Sequence, residues 1–329
     1  ALLLGDTSGL TYEDDTAFKV SGIRHVVAVS GLHVSILFSM AYSLVGKKRV
    51  LTALIGIPVL VLFAAVAGFT PSITRACVMQ ALMILAMLFN KEYDPPTALG
   101  FSVLVMLAVN PWTVTSVSFQ LSVGCMLGIF LFSEGIRTLL LGKAVKDGKK
   151  NKTLWNRLRF YVANSVSVTL SAMLITTPLS AYYFGTVSLI GILTNLITLC
   201  VVTFAFCAIA AACALGALWI PLGQVIAWLA AWPIRYILLI SKLLLAVPNA
   251  AVYTCSVYIL AWLVLCYVLL AAFALCKCKH PVVLSCCMIF SLALSLGASW
   301  LEPKLDNYRV TVLDVGQGQC IILQSGDRH

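Results

Sequence analysis

The chain has 329 residues, 61% of them hydrophobic and only 10% Asp, Glu, Lys or Arg, with a formal net charge of +10. A soluble domain of that length needs far more charged surface, so lipid is the main solvent. The mean hydropathy of +1.01 agrees. The apolar residues gather into runs of roughly 20, the length a helix needs to cross about 30 Å of hydrocarbon. Runs such as 201–215 are apolar on nearly every side, which excludes the alternating strands of a membrane barrel.

Residues 1–24 differ in kind from the rest of the chain. They carry Asp6, Glu13, Asp14, Asp15, Lys19 and Arg24 around a few apolar positions and read as an extracytoplasmic amphipathic lead-in. The chain opens at Ala1 without an initiator Met or signal segment and closes at His329 just after a strand-like stretch, so both ends read as cut.

Residues 25–300 predict an all-α polytopic transmembrane helix bundle of about ten spans. These fall near 26–45, 51–69, 72–90, 96–110, 116–134, 161–181, 187–214, 218–247, 255–276 and 281–300. The fourth is short, and the eighth is long with Pro221 and Pro233 inside it, so either can be broken or re-entrant. Lys and Arg mark cytoplasmic loops. They cluster at Lys47, Lys48 and Arg49, then from Lys143 to Arg159, then at Lys277 and Lys279. Under a ten-span count all three clusters share one side, which puts both chain ends outside.

Polar residues inside apolar runs are costly and mark either contacts between helices or a pathway. In the first span Ser30 and His33 lie three apart, next to Gly31 and preceded by His25; His33 either pairs with a neighbouring helix or faces a cavity. Arg75 lies four residues past Pro71, near enough to a span end to snorkel to the outer interface. Gln120 and Ser122 sit early in the fifth span and Asn195 in the seventh. Thr176-Thr177-Pro178 is expected to break the sixth. Tyr182, Tyr183 and Phe184 come next, as stacking surfaces or as an interfacial aromatic belt.

Enzyme chemistry is hard to assemble from this inventory. The 4 His, at 25, 33, 280 and 329, form no HExxH or His/Asp cluster, and Ser30 is flanked by Gly31 on one side only, which does not support a hydrolase elbow. The Cys276-Lys277-Cys278-Lys279-His280 run has poor zinc spacing. No catalytic residue, metal ligand or cofactor is assigned. The 12 Cys lie mostly within apolar runs, as buried thiols rather than a disulfide framework.

Residues 301–329 turn polar and then give a two-strand pattern around a glycine turn, Val312-Leu313-Asp314-Val315-Gly316-Gln317-Gly318 and then Cys320-Ile321-Ile322-Leu323. This predicts a short β-hairpin remnant at the C-terminus.

Several stretches, in order, resemble the competence region of the ComEC family, the inner-membrane DNA-uptake channels of transformable bacteria. They are Gly5-Asp6-Thr7-Ser8-Gly9-Leu10, the run from His25 to Ser30-Gly31-Leu32-His33, Ser118-Phe119-Gln120-Leu121-Ser122, and Pro178-Leu179-Ser180-Ala181-Tyr182-Tyr183-Phe184-Gly185 with Asn195 after it. The hairpin with Asp314, Gly316, Gln317 and Gly318 looks like the start of a metallo-β-lactamase-like domain. Gln319 and Cys200 depart from the family pattern, standing where Asp and Pro are common. The resemblance implies a membrane channel passing single-stranded DNA in natural transformation, in the bacterial cytoplasmic membrane. Membrane lipids, a DNA receptor and a cytoplasmic ATPase or helicase are the implied partners. A membrane-embedded enzyme acting on a lipid or phosphate, with Ser30, His33 and Arg75 converging, and a small-solute transporter with broken helices are the alternatives.

Overall fold

The computed structural model describes residues 9–27, 29–46, 48–141, 154–247, 250–253, 257–275, 287, 290–298, 301, 309–313 and 320–324. It divides into two units, residues 1–252 and residues 253–329.

The first unit is an all-α bundle of membrane type. Among the described residues of the whole chain, six helices are long and apolar enough to cross a membrane. They are α4 (Arg49–Val66), α5 (Pro71–Leu88), α7 (Val117–Leu141), α8 (Leu154–Phe184), α9 (Gly191–Leu218) and α10 (Ile220–Leu245). All six coincide with expected spans, and α6 (Pro95–Val109) has the shortness expected of the fourth. Large apolar side chains such as Leu54, Leu62, Leu104 and Phe204 stand exposed on the flanks, the arrangement lipid favours and water does not.

Helix α1 (Tyr12–Ser21) begins at Thr11, whose hydroxyl accepts the Asp14 N–H, and three acids in its first turn complement the helix dipole. It ends at Gly22, whose φ of 78° is open to glycine at little cost. Ala17, Phe18 and Val20 are buried, while Asp14 pairs with Lys242 of α10 at 3.0 Å and Asp15 with Arg24 at 3.3 Å. The Thr11 hydroxyl, and then the Lys242 ammonium, hold the Asp14 carboxyl below its ordinary range.

The expected first span is not one helix. A four-residue turn, α2 (Arg24–Val27), gives way to extended backbone at Ser30 (φ −128°, ψ 173°), and α3 (Gly31–Leu44) starts afresh. Ser and Gly favour a helix start over a helix interior, and valines at 26, 27 and 29 weaken helix on the preceding side. At 14 residues, α3 is about 21 Å long, short of a full crossing. It is wedged among α4, α5 and α9, where Val34, Ile36 and Phe38 join Leu60, Phe63, Ile73, Ile84 and Phe206 in the main apolar core.

Two helical hairpins, α7 with α8 and α9 with α10, flank that core. Their close approach needs glycine. A Cβ at Gly124 would press on Ile175 at 3.0 Å, one at Gly128 would collide with the Ser171 carbonyl oxygen, and one at Gly223 would collide with Gly216 Cα. Pro178, expected to break the sixth span, is carried inside an uninterrupted α8, as packing against a partner helix permits. Pro221 sits in the first turn of α10 and Pro233 within it, so the eighth span is also a single helix. A short sheet of β1 (Thr186–Ser188) and β2 (Ala251–Tyr253) closes the unit.

The second unit holds α11 (Val257–Leu275) and an antiparallel pair, β3 (Arg309–Leu313) and β4 (Cys320–Gln324), in the register Arg309↔Gln324 to Leu313↔Cys320. The expected hairpin is therefore present. Its turn, with Asp314, Gly316, Gln317 and Gly318, lies outside the described residues, as do half of the tenth span, the Cys276 to His280 run and the basic residues from Lys143 to Lys152.

Candidate functional site

Three of the predicted residues, Gly31, Arg75 and Ser122, meet at one place. The Arg75 side chain, only 6% exposed, does not snorkel outward. Its Nε donates to Ser122 Oγ on α7 at 2.7 Å, and another guanidinium nitrogen reaches Met79 Sδ at 3.4 Å. Ser72, on the same face of α5, joins Ser122 hydroxyl to hydroxyl at 3.1 Å. The remaining terminal nitrogen lies 3.1 Å from where a Cβ on Gly31 would stand, so the guanidinium rests against the first turn of α3. Among the described residues no carboxylate pairs with Arg75.

Ser30 and His33 bracket that turn. The Ser30 backbone N–H donates to His33 Nδ1 at 3.0 Å, and the Ser30 hydroxyl lies 3.2 Å from the same nitrogen. With Nδ1 accepting, a neutral ring carries its proton on Nε2. That atom is fully buried and has no hydrogen-bond partner among the described residues. The ring packs at a tilt of 54° against Phe206, with the ring centroids 5.0 Å apart, roughly half-way along α9, so α3 begins deep inside the bundle.

Asn195 lies apart, one turn into α9, 8% exposed and with its Oδ1 buried without a partner among the described residues. Gln120 is engaged structurally: its Nε2 donates to the Val114 carbonyl at 3.0 Å and its Oε1 accepts from Tyr183 Oη at 2.7 Å, tying α7 to α8. Phe184 lies 5.7 Å beneath the Arg24 guanidinium and Tyr182 packs edge-on to Tyr183, so the aromatic trio forms local contacts. His25 is exposed, its Nδ1 3.1 Å from the Gly22 carbonyl.

Sequence reasoning missed Ser72, Met79 and a half-buried polar pair, Gln80 Nε2 donating to Ser35 Oγ at 3.0 Å with Gln80 Oε1 left unpaired among the described residues. The signal was there, since Ser72, Arg75 and Met79 fall on one helical face and Gln80 interrupts an apolar run.

The family model described as "Competence protein" matches residues 2–279. The chain belongs to the competence protein family. It is 26% identical over 207 residues to ComE operon protein 3 of Bacillus subtilis, covering 62% of the chain and 24% of that relative. It is 22% identical over 214 residues to Recombination protein 2 of Haemophilus influenzae, covering 62% and 26%. An uncharacterized protein of Aquifex aeolicus is 30% identical over 207 residues, covering 60% and 47%. The aligned part thus amounts to between a quarter and a half of these relatives' length. No solved structure matches the chain. The candidate residues of this competence family member from His25 to Asn195 lie within the family match, whereas β3 and β4 lie beyond it.

Proposed function

We propose that this bundle is the path by which one strand of DNA crosses the bacterial cytoplasmic membrane during natural transformation. Membership of the competence protein family across residues 2–279 carries the reading. A polyanion in hydrocarbon needs cationic or hydrogen-bonding walls, and buried Arg75, His33 and Asn195 with half-buried Ser122 are groups of that kind. Single-stranded DNA is the cargo, and membrane lipids, an outer DNA receptor and a cytoplasmic ATPase or helicase are the partners. The β3–β4 hairpin is read as the start of a metallo-β-lactamase-like domain. Photocrosslinking of a strand arrested in transit tests the path, with contacts expected in α3, α5 and α9.

In this reading both ends of the chain lie outside the cytoplasm, because the three basic clusters fall on one side under ten spans. Single cysteines introduced on a Cys-free background check it. Positions within 143–159 are expected to react only with reagents reaching the cytoplasmic face, and positions within 1–20 and 305–325 only from outside. Labelling of 143–159 from outside reverses the orientation.

A further inference from the structure

We infer that Arg75, Ser122 and the first turn of α3 form a station for a single phosphate group within the bundle. The inference rests on the proposed DNA path and adds where, and by which atoms, a phosphate is held.

Two positive features converge here. The start of α3 is the positive end of a 14-residue helix; the His33 N–H turns to the Ser30 carbonyl at 3.1 Å, while the Gly31 and Leu32 N–H groups have no earlier helical carbonyl to accept them. The Arg75 guanidinium, 6% exposed, is laid against that same turn. Like signs brought together away from water repel, and a buried charge without a partner is strongly destabilising. Ser122 and Met79 do not remove that cost, since one is neutral and the other a weak acceptor. An anion between guanidinium and helix start satisfies both at once, as helix N-termini do for phosphate elsewhere.

The neighbours fit the same ligand. Ser122 accepts from Nε and so fixes the plane of the guanidinium, leaving the terminal nitrogen beside Gly31 without a hydrogen-bond partner among the described residues. Any side chain at residue 31 would crowd that nitrogen. A singly charged tetrahedral oxyanion, accepting from several donors, matches one arginine and one helix end.

Thermal unfolding of the full-length protein in phosphatidylcholine nanodiscs tests the station. The comparison is between wild type and Arg75→Gln, in sodium phosphate against sodium chloride at equal ionic strength. Parallel arms contain a (dT)12 oligonucleotide, its uncharged methylphosphonate analogue, or phosphatidylglycerol in the disc. Wild type is expected to gain about 3 °C more than Arg75→Gln from phosphate and from (dT)12, and nothing extra from the analogue. Arg75→Lys should keep part of the gain. Without added anion Arg75→Gln should melt no lower than wild type, because it removes an uncompensated charge, so misfolding does not mimic the result. A gain from phosphatidylglycerol alone assigns the phosphate to a lipid headgroup and overturns the station as a stop on the DNA path. Equal responses of the two proteins to every anion overturn it outright. DNA uptake by the same variants separates the two readings. Lost uptake in Arg75→Gln with equal anion responses removes the station and keeps the path; normal uptake with an Arg75-dependent gain removes the residue from the path.

Discussion

Replacing His33 or Asn195 by leucine in the full-length protein should cut DNA uptake by well over tenfold while membrane-inserted protein stays near wild-type level. Each residue buries an atom without a hydrogen-bond partner among the described residues, His33 Nε2 and Asn195 Oδ1. An unsatisfied buried polar atom costs about 1–3 kcal/mol, and leucine enters an apolar span more readily than histidine or asparagine. The substitutions therefore remove a cost rather than a support. His33→Leu also deprives the Ser30 N–H of its acceptor, a loss of about 1 kcal/mol that partly offsets the gain. Transformation frequency, read beside an immunoblot of the membrane fraction, separates the roles. Residues that only join helices would show reduced protein when replaced. Near-normal uptake in both variants, at normal protein level, would remove them from the path.

The second large effect is structural. Gly128→Leu should abolish most of the folded, membrane-inserted protein, whereas Gly135→Leu on the same helix should accumulate normally. A Cβ at Gly128 meets the backbone carbonyl of the buried Ser171, and backbone cannot swing aside as the tip of a side chain can; at Gly135 nothing lies within 4 Å. Overpacking a tight core costs about 1–3 kcal/mol when neighbours can repack, and here α7 and α8 would have to separate along their length. Equal yields of the two variants from detergent extraction would show that the hairpin is looser than its geometry.

Hydropathy located most of the helices because spanning lipid demands long apolar runs, and α4 to α10 begin and end close to those runs. The same measure was blind to the break before α3. Ser30, Gly31 and His33 scarcely lower the average of an apolar window, yet local preference makes Ser30 a helix start and leaves α3 short. Pro178 failed in the opposite direction, since local preference predicted a break and the packing of α8 held the helix intact. The inward turn of Arg75 was not legible at all. Its partners, Ser122 and Gly31, are supplied by other helices, Ser122 from 47 residues away, and a lone arginine near a span end reads equally as a snorkelling residue. Gln120, which read either as a contact between helices or as a pathway residue, bonds Tyr183, 63 residues on, and so ties two helices. The close packing of α7 on α8 was legible and overlooked, since Gly124 and Gly128 stand four apart, the spacing of membrane helix contacts.

The central claim is that a DNA strand passes through this bundle, and the most direct measurement catches one there. A single strand with a bulky block at its trailing end and photoreactive thymine analogues along its length is presented to competent cells. The cells are irradiated during arrest, and the full-length protein is then mapped by mass spectrometry. Crosslinks are expected in α3, α5 and α9 around Ser30 to His33, Ser72 to Met79 and Asn195. Crosslinks confined to the loops or to the outer surface of α1, with none in those three helices, would contradict passage through the bundle.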